Sequence, residues 1–293
     1  MPKLWRLGDL TFLTLLRRVG YAVLDDDVFG QSAKLSYYFL LALFPLLLLL
    51  TTLFGFFAES MELRSALLEY FRRVVPGSAF RLVQNTLDQI TEGASAGKLS
   101  IGVIGTLFAA SGGLRAIMQG LNTAYGVTEG RPLWKHYLLS IIFTVALTVF
   151  VLLALLLILI GPKTASFLAR YVGFQHAFQT IWSIARWPVA FFIALLAINL
   201  LYLFAPGLKK RHLGWFTPGA IVAVLLWLSI SFGFRIYLRH FNTYNKAYGS
   251  LGAVIVLLLW FYFTGAAILI GAEVNSEIES SLARSGIRRS PVH

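Results

Sequence analysis

Four polar side chains recur at helical spacing inside an apolar segment of the sequence. Ser111, Arg115, Gln119 and Asn122 are separated by four, four and three residues, so they share one face of a helix. Arg115 supplies a permanent cation, and the other three supply hydrogen-bonding groups. Polar residues inside a membrane segment often mark a ligand site or a transport path, so this face is our first functional hypothesis.

Carboxylates that could pair with this cation occur near the end of the chain. Glu273 and Glu277 are one helical turn apart, and Lys34 opens an earlier apolar segment. Because a buried cation near a helix end seeks a carboxylate, we expect Arg115 to lie near Glu273 or Glu277. A structural ion pair, snorkelling of Arg115 to lipid headgroups and a charge that lines a polar cavity all stay open. The predicted cavity or ion-pair cluster comprises Lys34, Ser111, Arg115, Gln119, Asn122, Glu273 and Glu277.

A second basic group precedes the last apolar segment. Its members are Arg235, Arg239, Asn245 and Lys246, interspersed with tyrosines. One interpretation is an ordinary interfacial belt of aromatic and basic residues. The other is an outer site for an anionic headgroup or phosphate, which such side chains suit.

The sequence offers little for catalysis. The histidines lack the spacing of metal ligands, there is no cysteine, and no P-loop, HExxH or GxSxG motif occurs. The acidic run Asp25, Asp26 and Asp27 precedes an apolar segment and suits a helix cap. We therefore predict no catalytic residues, cofactors, metal or nucleic-acid partner, and we expect no hydrolysis of RNA.

Composition places the chain in a membrane. Of its residues 58% are hydrophobic and 13% charged, whereas soluble domains carry about 25% charged residues. The net charge of +12 suits basic residues that flank the spans and meet anionic lipid headgroups. We predict an all-α, polytopic membrane protein, with membrane lipids as its immediate partners.

Six apolar stretches are long enough to cross a bilayer as helices. They cover residues 33–58, 99–119, 137–160, 181–204, 213–236 and 248–271. We expect one membrane domain over residues 1–293: an N-terminal segment (1–32) with an interfacial amphipathic helix at 9–22, a six-helix bundle (33–275) and a C-terminal tail (276–293). The connection 59–97 predicts further amphipathic helices outside the cytoplasm. Pro45 is the best candidate for a kink, whereas Pro188 and Pro218 suit helix starts.

The distribution of basic residues favours a cytoplasmic location for both termini. The clearest signal is the cluster Lys209, Lys210 and Arg211 in a short loop. Under this topology Arg115 lies about 24 Å along the second span, close to the cytoplasmic interface.

Several stretches resemble one protein family. RHFNTYNKAYGSLGAVIVLLLWFYFTGAAILIGAEVNSEIE (239–279) is similar to the C-terminal signature of the YihY/BrkB family, and LSYYFLLALFPLLLLLTTLFG (35–55) is similar to its first span. AASGGLRAIMQGLNTAYGV followed by RPLWK, and TPGAIVAVLLWLSISFGFRIYL, resemble its second and fifth spans. The resemblance implies a six-helix protein of the bacterial inner membrane. Members have carried the labels ribonuclease BN, regarded as mistaken, and virulence factor, and the family implies a link to lipid export in the envelope.

Two functions from different classes compete. The first is a transporter or translocase of an anionic or lipid-like envelope substrate, guided by Arg115. The second is a non-transporting scaffold in envelope assembly that acts through partner proteins, for which the 59–97 segment and the basic termini would matter most. The sequence names neither the cargo nor the oligomeric state.

Overall fold

All regular elements in the described part of the chain are helices, as the sequence predicts. The computed structural model describes residues 11–57, 96–159, 175–208, 217–240 and 250–288. The helices are α1 (Phe12–Asp25), α2 (Val28–Phe57), α3 (Ala96–Ala124), α4 (Leu133–Leu159), α5 (Gln175–Phe204), α6 (Pro218–His240) and α7 (Ser250–Arg288).

Four of these helices are long and apolar enough to cross a bilayer. The qualifying stretches are Leu133–Ala154, Ile184–Phe204, Pro218–Tyr237 and Val254–Arg284. Helices α2 and α3 cover the first two predicted spans, so the count of six stays a prediction. The basic cluster at 209–211 and most of the 59–97 connection lie outside the described residues.

The N-terminal amphipathic helix is present as α1. Its buried residues Leu15, Val19 and Val23 recur every four positions, and the helix packs against α7 and α2. A sharp elbow then leads into α2, with Asp27 in the left-handed region at φ 47°. The Asp27 side chain accepts a hydrogen bond from the Gly30 amide at 3.2 Å, so the acidic run does cap a helix.

Of the three prolines considered above, one begins a helix and two lie inside helices. Pro218 begins α6, and the Thr217 hydroxyl before it accepts the Ala220 amide at 3.3 Å, which completes an N-cap. Pro188, in contrast, lies well inside α5, so its prediction as a helix start was wrong. Pro45 lies inside α2, which remains helical on both sides of it.

The last helix is longer than the sixth predicted span. Helix α7 continues to Arg288 rather than ending near residue 271, and no break separates a tail at 276. Burial explains the extension, because Ile278 and Ser281 are covered beyond the predicted end and α1 packs on this helix.

The six long helices close into a ring. Going round it, α7 packs on α2, α2 on α3, α3 on α4, α4 on α5, α5 on α6, and α6 returns to α7. Helix α7 also reaches across to α3. Hydrogen bonds show which helix ends meet. Asn122 near the end of α3 and Arg131 just before α4 bond to residues directly after α5. Thr217, just before α6, bonds to Asn199 near that same end of α5. These four helix ends therefore lie at one end of the bundle.

Helices α6 and α7 approach closely at two glycines. A Cβ on Gly219 would collide with the Gly271 carbonyl, and one on Gly271 would collide with the Tyr202 hydroxyl. That hydroxyl donates to the Ile268 carbonyl at 2.6 Å. The Asn275 side chain accepts the Gly219 amide at 2.8 Å and donates to the Thr217 hydroxyl at 3.1 Å. Small residues thus permit a backbone contact that buried polar groups then fix.

Replacement of Gly219 by alanine should destabilise the protein by about 1–3 kcal/mol, because the added methyl group must displace α7 or the Asn275 amide. Gly233→Ala is the matched control on the same helix, since a Cβ there meets nothing within 4 Å. The control should be neutral or slightly stabilising. Thermal unfolding in detergent measures both, and equal unfolding temperatures would contradict the tight contact.

Candidate functional site

The polar face predicted on α3 is present around Arg115. The Arg115 Nη1 donates to the Ser111 Oγ at 2.6 Å, and that hydroxyl donates to the Phe108 carbonyl at 2.6 Å. Ser111 is fully buried and Arg115 partly so. The serine therefore holds one edge of the guanidinium against its own helix.

Two aromatic rings support the same guanidinium. Its central carbon lies 4.6 Å from the Tyr137 ring centroid and 5.3 Å from that of Phe108. The rings belong to α4 and α3 and are nearly parallel, with an interplanar angle of 5°. Aromatic faces attract a cation without neutralising its charge. Arg115 is thus positioned but keeps its net charge.

Arg115 lines a polar cavity of about 430 Å³ at the end of the bundle where α3 ends and α4 begins. Gln119 and Asn122 line it too, which brings together three of the predicted residues. The complete lining is Tyr38, Gly112, Arg115, Ala116, Gln119, Asn122, Glu129, Arg131, Leu133 and His136. This size lies in the range of small-molecule sites.

The loop between α3 and α4 contributes an ion pair to the cavity wall. The Arg131 Nε and Nη2 donate to the two Glu129 carboxylate oxygens at 2.6 and 2.7 Å. The His136 Nδ1 lies 3.1 Å from the same carboxylate. Hydrogen bonds from Arg131, with further help from Asn122, lower the pKa of Glu129 from 4.5 to about 2. Glu129 is therefore ionised at neutral pH.

Asn122 joins this loop to the end of α5. Its Oδ1 accepts the Gly207 amide at 2.8 Å, and its Nδ2 donates to the Glu129 carboxylate at 3.0 Å. The Arg131 Nη2 also donates to the Ala205 carbonyl at 2.8 Å. One buried amide and one guanidinium thereby connect the ends of α3 and α5 through the cavity wall.

The cavity lining carries a net positive charge. Glu129 is paired with Arg131, whereas Arg115 has neither Asp nor Glu as a partner among the residues described. One uncompensated guanidinium consequently faces the cavity, and an anion would complete it. No three histidine or carboxylate side chains form a metal-binding group within the described ranges.

The expected pairing of Arg115 with Glu273 or Glu277 was wrong. Glu277 instead lies 3.9 Å from the Arg18 guanidinium of α1, and Glu273 is buried close to Asp26 in the elbow. The pairing fails because the side chains on α7 and on α3 face different neighbours. Helix α7 places Glu277 beside α1 and Glu273 beside the elbow, whereas Arg115 contacts Tyr137 of α4.

Other predicted residues lie apart from the cavity. Lys34 is exposed on α2 and does not line it. Arg235 is exposed on α6, and Arg239 lies one turn further along that helix. Asn245 and Lys246 lie outside the described residues, so the outer anion site stays a prediction.

Sequence reasoning missed Glu129, Arg131 and His136 as parts of the cavity. Their signal is the short connection between α3 and α4, which forces residues 125–132 to lie beside the last turns of α3. Alternating charges at Glu129 and Arg131 in such a loop favour a local pair.

Low pH should reduce the stability that the ion pair of Glu129 and Arg131 contributes to the cavity wall. Its pKa is lowered on folding, so its stabilising contribution is complete above about pH 4.5 and is lost as the pH falls towards 2. We therefore expect wild type to unfold at a higher temperature than Glu129→Gln at pH 7. The difference should shrink below pH 4.5. A difference that stays constant between pH 7 and 3 would contradict the ionised pair.

Comparison with known proteins finds relatives over most of the chain. The profile of the family described as "Virulence factor BrkB" matches residues 19–291. A Bacillus subtilis (strain 168) protein, YfkH, whose name describes it as ribonuclease-like, is 37% identical over 84% of this chain and 88% of its own length. UPF0761 membrane proteins of Xanthomonas campestris pv. campestris (strain B100) and Xanthomonas oryzae pv. oryzae (strain PXO99A) are 31% and 32% identical over 88% and 87% of this chain.

The chain covers only 59% and 58% of those two Xanthomonas proteins. No solved structure matches it. The family match extends from the second half of α1 to the residues beyond α7, and so includes the whole ring and the polar cavity. The chain belongs to the BrkB family of membrane proteins.

Proposed function

We propose that this protein is a multi-pass transporter or translocase of the bacterial inner membrane, and that its substrate is an anionic, lipid-like component of the envelope. The anionic group binds in the polar cavity, where Arg115 provides the charge. The single observation that carries this proposal is the guanidinium of Arg115, which lies on the wall of a 430 Å³ cavity and has no Asp or Glu partner within the described ranges.

The contacts of Arg115 support a ligand role over a purely structural one. A structural arginine in a membrane normally pairs with a carboxylate or with backbone carbonyls. Arg115 instead donates to a serine and stacks near two rings, which orient it but leave its charge in place. Guanidinium groups bind phosphate and carboxylate with two parallel hydrogen bonds, so an anion suits the site.

The neighbouring groups favour an anion that also accepts and donates hydrogen bonds. Gln119 and Tyr38 are exposed and line the cavity. His136 lines the cavity from α4. A phosphate ester with free hydroxyl groups could use all of them.

The cavity lies at the cytoplasmic end of the bundle in our proposal. Basic residues that favour a cytoplasmic location lie around this end: Arg131 and Lys135 follow α3, and Lys34 lies in the second turn of α2. Substrate would therefore enter from the inner leaflet or the cytoplasm.

Transport is a better hypothesis for this site than hydrolysis. One carboxylate in the cavity, Glu129, is already held by Arg131, and hydrolysis of a phosphodiester usually needs several carboxylates around metal ions. The word ribonuclease belongs to the name of the Bacillus subtilis relative. We propose that this chain is not an enzyme.

Substitution of Arg115 by alanine should reduce transport of an anionic phospholipid at least about tenfold, since a hydrogen bond to a charged group contributes about 1.5–3 kcal/mol. Wild type and variant are reconstituted at equal amounts into liposomes that contain a labelled anionic phospholipid, and its movement between leaflets is followed.

Arg17→Ala is the matched control for this experiment. Arg17 also contacts an aromatic residue, Tyr21, with its guanidinium carbon 5.6 Å from the ring centroid, but it lies on α1 outside the cavity. The control should transport at the wild-type rate. Normal transport by Arg115→Ala would refute the role of this cation, and equal loss in both variants would reveal a general effect of removing charge.

A further inference from the structure

An apolar groove runs between α4 and α5 beside the polar cavity. It has a volume of about 260 Å³ and is lined by Leu139, Ile142, Phe143, Ala146, Leu147, Phe150, Ala197, Leu200 and Phe204. Every one of these side chains is a hydrocarbon. The groove therefore suits an alkyl chain and offers nothing to a sugar or a peptide backbone, whose polar groups would lose their hydrogen bonds there.

Successive turns of α4 line the cavity and the groove. On α4, His136 lines the cavity and Leu139 lines the groove, one turn further along. His136 and Phe143 are seven residues apart and so lie on the same side of α4. Beside α5, Arg131 of the loop between α3 and α4 donates to the Ala205 carbonyl. Ala205 follows Phe204, which ends α5 and lines the groove.

The length of the groove matches one leaflet of a bilayer. Residues 139–150 of α4 span about 16 Å at 1.5 Å per residue. The hydrocarbon core of a membrane is about 30 Å thick, so each leaflet contributes about half of it. A chain that starts at the cavity would thus lie along α4 to about the depth that a lipid acyl chain reaches.

We propose that the polar cavity and the groove between α4 and α5 form one bipartite site for a single anionic amphiphile. Its phosphate or carboxylate head binds at Arg115, and one acyl chain lies along residues 139–150 of α4. This inference rests on the proposed function, because it assigns the chain of the same substrate whose head occupies the cavity.

An ordinary boundary lipid would also touch this groove, but it would not depend on the cavity. Hydrocarbon gains little by moving from lipid to an apolar protein surface, so the chain alone gives no selectivity. Selectivity must therefore come from binding of the anionic head at Arg115. Labelling of the groove should therefore require a negative charge on the probe and a cation at residue 115.

The test uses the full chain in nanodiscs of phosphatidylcholine and a long-chain alkyl phosphate with a photoactivatable diazirine near the end of its chain. The corresponding alkyl alcohol, with the same diazirine, is the uncharged probe. Mass spectrometry then maps the cross-linked residues. We expect the phosphate probe to label the groove about tenfold more than the alcohol, and Arg115→Ala to abolish that excess.

A bulky side chain placed as a wedge in the groove tests binding of the acyl chain independently of binding of the head. Ala146→Phe should remove the labelling of the groove, whereas Val145→Phe, on the exposed side of α4, should leave it unchanged. If Ala146→Phe does not accumulate, Ala197→Phe places the same wedge from α5. Binding of a short-chain alkyl phosphate, which reaches only the cavity, should be unaffected by either wedge.

Two failures are distinguishable. If the short-chain phosphate binds through Arg115 but both long probes label the groove equally, the bipartite site is wrong and the proposed function stands. If the short-chain phosphate binds Arg115→Ala as well as it binds wild type, the head site itself is wrong, and both proposals fall together.

Discussion

The polar cavity depends on the side chain of Asn122. This buried amide accepts the Gly207 amide and donates to Glu129, so one residue joins the end of α3, the following loop and the end of α5. Glu129 then holds Arg131, which reaches the Ala205 carbonyl. Since an unpaired buried amide would be costly, the Asn122 side chain holds both of its partners in place. Arg115 stays outside this network, which leaves its charge available.

Elsewhere in the bundle, close helix packing and buried hydrogen bonds act together. Gly219 and Gly271 let α6 and α7 touch, and Asn275 and Tyr202 supply hydrogen bonds around that contact. In lipid, hydrophobic burial contributes little to helix association, so such contacts determine how the helices pack. The arrangement of α4 beside α5 is different, because an apolar groove separates part of their length.

The spacing of residues predicted which side chains share a helix face. It did not predict which residues of neighbouring helices those side chains contact. The shared face of Ser111 and Arg115 follows from their spacing alone, and the helix before the first span follows from the positions of Leu15 and Val19. The partner of Arg115 does not follow, because spacing does not reveal which neighbour a helix face meets. Pro188 was misread for a related reason: its helix begins well before the apolar stretch that marked the span.

Helix α7 is longer than the hydrocarbon core of a bilayer is thick. Its 39 residues extend about 58 Å, almost twice the thickness of a hydrocarbon core. Many of its turns must therefore stand beyond the acyl chains, and α1 packs alongside the helix. Glu273 and Asn275 are consequently shielded by protein and not by lipid. Protein therefore provides the low-dielectric surroundings of these two polar residues, at whatever depth α7 lies in the bilayer.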